Sequence, residues 1–151
     1  MRSIAIMLAA AAALASAPLL AQVEAKSAWV RGTVAAQKTT GAYMAITSAQ
    51  GGSLIGAESA SAAIVEVHEM RMDNNVMRMR AVPRLDLPAG KTVELKPGGY
   101  HIMLIDLRQP LKKGDTVRLK LRIENKDKSV STVEVAAEVR DPAGAATAHQ
   151  H

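Results

Sequence analysis

The sequence predicts a single all-β domain, a sandwich or barrel, on three observations. Apolar and basic residues alternate with period two in residues 116–123, the pattern of a strand with one solvated face. Short segments of strand character recur along the chain between turns rich in Gly, Pro, Asn and Asp. Beyond the N-terminal leader, no stretch sustains helical periodicity with capping residues. Many short strands at such spacing imply a sandwich or barrel rather than an α/β fold.

The elements follow in chain order. Residues 1–21 begin with Arg2, continue as an alanine-rich apolar run and end in small residues, which reads as a secretory signal peptide. Ala15-Ser16-Ala17 resembles a cleavage site, but Pro18 would follow the cut, so cleavage is expected after Ala21, with Ala25 as the alternative. Ser16 and Pro18 interrupt the run, which argues against a retained membrane anchor, since a span needs about 20 predominantly apolar residues. Strands are predicted at 28–33, 41–47 and 53–59, the last two divided by Gln50-Gly51-Gly52. The strand predicted at 63–68 ends in His68, and Asp73-Asn74-Asn75 turns the chain into 76–81. Pro88-Ala89-Gly90 precedes 92–95, and Pro97-Gly98-Gly99 precedes 100–106. Lys112-Lys113-Gly114-Asp115 introduces 116–123, and Asn125-Lys126-Asp127-Lys128 separates it from 130–139. The domain is thus expected over 22–140, followed at 141–151 by a small-residue tail expected to be disordered.

Composition narrows the function. Loss of the leader removes Arg2 and no acidic residue, lowering the formal charge from +5 to +4. The basic residues are scattered and only Trp29, Tyr43 and Tyr100 could stack on bases, so nucleic acid is a poor partner. The chain has no cysteine, which excludes disulfides, thiol redox chemistry and a blue-copper centre. No Ser-His-Asp spacing, HExxH motif or phosphate loop points to an enzyme.

One constellation does carry chemistry. His68 is followed after ten residues by Met79 and after twenty-one more by His101-Ile102-Met103. Imidazole with thioether, in a set lacking thiolate and carboxylate, suits copper better than zinc, calcium or magnesium. Strand alternation puts His101 and Met103 on one face, and Met77, Met79 and Ala81 opposite Arg78 and Arg80. A hairpin through Asp73-Asn74-Asn75 with the strand of His101 alongside would let all four side chains converge near one rim. Any one such methionine is more often core filler. The two histidines outside the tail, however, each carry a methionine two residues later: His68-Glu69-Met70 and His101-Ile102-Met103.

These spacings, with Ala28-Trp29-Val30-Arg31, Gly41-Ala42-Tyr43-Met44, Pro97 to Leu104 and Gln109 to Asp115, resemble the PCuAC family of periplasmic copper chaperones over about Val23 to Val139. The resemblance implies a cupredoxin-like Greek-key β-sandwich or barrel that binds Cu(I) through His68, Met79, His101 and Met103. It also implies delivery of the ion to a copper acceptor, such as the dinuclear centre in cytochrome c oxidase subunit II or another assembly factor. His149 and His151 offer imidazole without sulfur, a weak Cu(II) site or no site at all. Met70, Met72 and Met77 are left open between a docking surface, a secondary copper path and packing. A structural or adhesive exported sandwich is the competing class.

Overall fold

A computed structural model describes residues 22–141, so the leader with its cleavage site and the tail with His149 and His151 lie outside the described residues. Ten strands form the fold: β1 (Val23–Arg31), β2 (Thr39–Ser48), β3 (Gly52–Glu58), β4 (Ala62–Asp73), β5 (Val76–Ala81), β6 (Leu85–Leu87), β7 (Thr92–Leu95), β8 (Tyr100–Leu107), β9 (Thr116–Asn125) and β10 (Val130–Arg140). No helix occurs among the described residues, as the period-two patterning predicts.

The strands make one continuous sheet in the order β5-β4-β8-β2-β1-β10-β9-β3-β6, with β7 pairing on β2. All ladders are antiparallel except β1 with β10, where the first and last strands run parallel. The sheet folds over a single apolar core. Ile102 and Leu104 of β8, Val30 of β1 and Ile46 of β2 meet Leu54 of β3 and Leu119, Leu121 and Ile123 of β9, all of them fully buried or nearly so. The strict burial alternation of β9 is that predicted from 116–123.

Three local expectations are corrected. The first strand starts at Val23, not near residue 28. Its register shifts between Lys26 and Trp29, where Ser27 takes a positive φ of 56°, so Val23 and Val30 both face the core although they are an odd number of residues apart. The strand ending at His68 in the sequence reading instead continues to Asp73, which puts His68 in mid-strand. The short strand β6, flanked by Pro83 and Pro88, had no counterpart in the expected set; it pairs with β3 through Leu85 and Leu87.

Two turns fix the registers that matter next. Asp73 pairs with Val76 around Asn74 and Asn75, both at positive φ (48° and 65°), the geometry of a two-residue I′ hairpin in which asparagine is favoured. Between β7 and β8, Pro97 and Gly98 occupy the centre of a turn closed by Gly99 N–H donating to the Lys96 carbonyl at 3.0 Å. Gly98 has φ of 84°, which the second central position of a type II turn requires and glycine alone adopts without strain.

Candidate metal site

The outward face of β8, β4 and β5 gathers the residues that the sequence singled out. In β8, Ile102 and Leu104 enter the core, so His101 and Met103 project from the opposite face. The β4–β8 ladder sets His68 directly across from His101 and Glu66 across from Met103. The I′ hairpin sets Met70 across from Met79 and Met72 across from Met77. Three adjacent strands therefore present imidazole and thioether side by side, because directly opposed residues on one face have Cβ atoms about 4.5–5.5 Å apart.

The geometry of the two histidines is specific. Their ring centroids are 5.9 Å apart. His101 is 4% exposed, and its Nδ1 lies 3.0 Å from the Gly99 carbonyl. A carbonyl only accepts, so Nδ1 carries the proton and Nε2 holds a lone pair. That Nε2 is buried with no hydrogen-bond partner. His68 is arranged in mirror fashion: Nε2–H donates to the Glu66 carboxylate at 2.8 Å, and Nδ1 is buried and unpartnered. Two buried nitrogen lone pairs left unpaired on facing rings are costly unless something binds them. A carboxylate or carbonyl that fixes the tautomer from behind is the usual support of a metal-binding imidazole.

His101, Met103, Met79 and Met70 line one cleft of about 300 Å³, roofed at one end by the Pro97-Gly98 turn. His68 is not part of that lining; it meets the cleft through its contact with the His101 ring. Three of the four sequence-predicted residues thus share a cavity and the fourth flanks it. Met70 is an additional lining residue, and the repeated His-x-Met unit was the sequence signal for it. Among the described residues, no group of three or more His, Cys, Asp and Glu side chains could hold a metal ion. A larger surface hollow of about 690 Å³ at β9 and β10 is lined by Glu58, Arg118, Lys120 and Glu134 and contains neither histidine nor methionine.

An aromatic wall continues the face across β2 and β1. Tyr43 lies 6.4 Å from the His101 ring and 4.6 Å from Trp29. Its ring folds down over Gly41, where a Cβ would come within 2.6 Å of the phenol oxygen, so only glycine lets tyrosine close the cleft there. Arg31 lines the same cleft, with its guanidinium 5.8 Å from the Tyr43 ring. Burial pushes the His101 pKa below the ordinary histidine value; its bond to Gly99 opposes this, while the charges of His68 and Arg31 add to the lowering. Burial likewise raises the Tyr43 phenol, which Arg31 partly offsets.

Comparison with known proteins gives concordant results. The family model described as "Putative lipoprotein LpqE-like" matches residues 23–139. A protein of Leifsonia xyli subsp. xyli named "Putative lipoprotein Lxx21020" is 34% identical over 126 residues, covering 82% of this chain and 72% of the relative. The apo PCuAC domain of PmoF1 superposes with a TM-score of 0.64 at 17% identity, covering 81% of this chain and 96% of that one, a likeness of fold. The solution structure of apo-DR1885 from Deinococcus radiodurans matches at 31% identity, 93% coverage of both chains and a TM-score of 0.59. The CuI form of DR1885 matches at 33% identity over 76% of this chain and 75% of that one, with a TM-score of 0.57.

Proposed function

The chain belongs to the LpqE-like family of PCuAC type, and from that membership we propose that it is an exported copper chaperone holding one Cu(I) between His68, Met79, His101 and Met103. The observation that carries this reading is the pair of facing imidazoles, each with one nitrogen committed as a donor and the other buried, unpaired and beside thioether sulfur.

Each residue then has a distinct task. His101 Nε2 and Met103 form the inner anchor; burial keeps the imidazole neutral, so no proton has to leave before the ion binds at neutral pH. His68 supplies Nδ1 from the neighbouring strand, with Glu66 holding the ring. Met79, 47% exposed, is the ligand that a partner reaches first. Thioethers are neutral and soft, so an acceptor can replace Met79 without proton transfer, and the ion moves by ligand exchange. The fixed charge of Arg31 repels a divalent ion about twice as strongly as a monovalent one, which favours Cu(I) over Cu(II). The acceptor is proposed to be the dinuclear copper centre of cytochrome c oxidase, and no catalytic step is assigned to the site. His149 and His151 are proposed as a separate, weaker Cu(II) site.

Export to the periplasm accords with the tripartite leader and with the lipoprotein descriptions of the family and its relative. X-ray absorption on the protein loaded with one Cu(I) tests the ligand set: nitrogen and sulfur scatterers are expected, and a spectrum of nitrogen and oxygen alone refutes it. Measured copper per chain, intact and as His101→Ala, separates a carrier from a structural sandwich, which would hold no copper in either form.

A further inference from the structure

The chain has eight methionines, and four of them, Met70, Met72, Met77 and Met79, sit on one face of the β4–β5 hairpin. They form two rungs: Met70 is directly opposite Met79, and Met72 is directly opposite Met77. Successive rungs on one strand face are about 7 Å apart, twice the rise per residue. The outer rung is open to solvent, with Met72 60% and Met77 47% exposed, so packing does not account for it.

The composition of this face distinguishes an ion path from a sticky patch. A docking surface for an apolar partner is served equally well by leucine, valine or isoleucine, yet all four positions hold thioether. Within the paired stretch 68–81 the charged side chains, among them Glu69, Arg71, Arg78 and Arg80, alternate onto the other face, and Arg80 is paired there with Glu69 at 2.6 Å. The ladder is also continuous with the cleft, because its inner rung, Met70 and Met79, lines the cavity that holds His101 and Met103.

We propose that Met72 and Met77, with Met70 within reach, form a second Cu(I) site at the hairpin tip, a loading station from which the ion steps along the thioether rungs into the His101 cleft. This rests on the copper role proposed above and adds a site to it. The chemistry is ligand exchange alone: along the rungs one copper–sulfur bond forms as another breaks, at the cleft a copper–nitrogen bond to His101 Nε2 replaces a copper–sulfur bond, the copper stays monovalent, and no proton moves, since thioethers carry none and that nitrogen holds a free lone pair. A site of thioethers without imidazole binds more weakly than the cleft, which gives the transfer its direction.

The test is titration of the mature protein with Cu(I) against a chromophoric Cu(I) chelator. The intact protein is expected to bind one tight and one weaker equivalent. In the double variant Met72→Leu and Met77→Leu the weaker equivalent disappears and the tight one is unchanged, while loading of the cleft from the chelator slows at least several-fold. Leucine conserves volume and apolarity, so folding and any apolar docking are preserved and cannot account for the loss. Saturation of the intact protein at one equivalent, or survival of the weaker equivalent in the double variant, overturns the proposal. His101→Ala separates the two readings: it must abolish the tight equivalent and spare the weaker one. Retention of the tight equivalent in that variant refutes the cleft assignment, and the ladder is judged independently by the leucine pair.

Discussion

Replacing His101 with leucine should abolish the tight Cu(I) equivalent while leaving the apo-protein as stable as before, or more so. The imidazole is 4% exposed and makes one hydrogen bond, from Nδ1–H to the Gly99 carbonyl. Losing that bond costs about 0.5–1.5 kcal/mol. The Gly99 carbonyl is not orphaned, because the Met70 N–H also donates to it at 3.2 Å. Against this loss stands the removal of the buried, unpaired Nε2, whose desolvation costs about 1–3 kcal/mol in the apo form. Leucine has nearly the volume of histidine, so neither a cavity nor overpacking follows. The net expectation runs from about no change to a gain of about 2 kcal/mol. Urea unfolding of the metal-free proteins measures it, and one equivalent of Cu(I) should raise the midpoint of the wild type well above that of the variant, which keeps only the weaker hairpin site, since stabilisation grows with affinity for the native state. A loss above about 2 kcal/mol would mean that His101 is a structural residue and that its free nitrogen was not held in reserve for a metal.

Four more outcomes are expected. In a His68→Met variant, where His101 is the only imidazole left in the site, Cu(I) affinity should stay level through pH ~6.5 and fall about tenfold per pH unit only below that, because burial holds His101 neutral to lower pH than a free histidine; a competition titration in which the decline starts above that pH contradicts this. By the same sign, the apo-protein should lose stability as pH falls below ~6.5, since the unfolded chain takes up the His101 proton first. Gly41→Ala should cost about 1–3 kcal/mol and weaken Cu(I) binding by displacing the Tyr43 ring from the cleft wall, with Tyr43→Phe in the same chain recovering part of the loss, as thermal unfolding will show. The mature protein should begin at Gln22 by intact mass, because Val23, Glu24 and Ala25 pair with Ser48, Thr47 and Ile46, and cleavage after Ala25 would strip that stretch of ladder; a mass starting at Lys26 disproves the argument.

Local alternation made most strands legible. Residues 116–123 announce one buried face, and that is how β9 packs. Where legibility failed, a physical reason is visible. The bulge at Ser27 reverses the phase of β1, so Val23 and Val30 do not share one period and the strand reads as starting late. Beyond His68, β4 leaves the core with its partner β5, whose six residues are all exposed; with both faces wet, polarity no longer marks the strand. A strand of three residues, set between Pro83 and Pro88, is too short to show a period, which hid β6.

The site was legible where it is written in spacing and obscure where it is made by register. The His-x-Met units named His68, His101 and Met103, and alternation with arginine picked out Met79. Met70 carried the same His-x-Met signal, and the Asp73-Asn74-Asn75 turn announced its hairpin; Tyr43, Gly41 and Arg31 enter the cleft only because β2 pairs with β8 and with β1, pairings that no local pattern states.

The parallel union of β1 and β10 sets the timing of folding. Trp29 meets Glu138 and Val30 meets Val139, so the first strand gains one of its two neighbours only when nearly the whole chain is available. Such distant pairing puts the domain among topologies that fold in milliseconds to seconds, whereas a hairpin closed by a two-residue turn forms in about 1–10 μs. The methionine rungs therefore come together long before His68 meets His101 across β4 and β8. A chain that has paired β4 with β5 but not yet β4 with β8 would hold its thioethers in register and its imidazoles apart, and so would meet the metal first as a sulfur ligand.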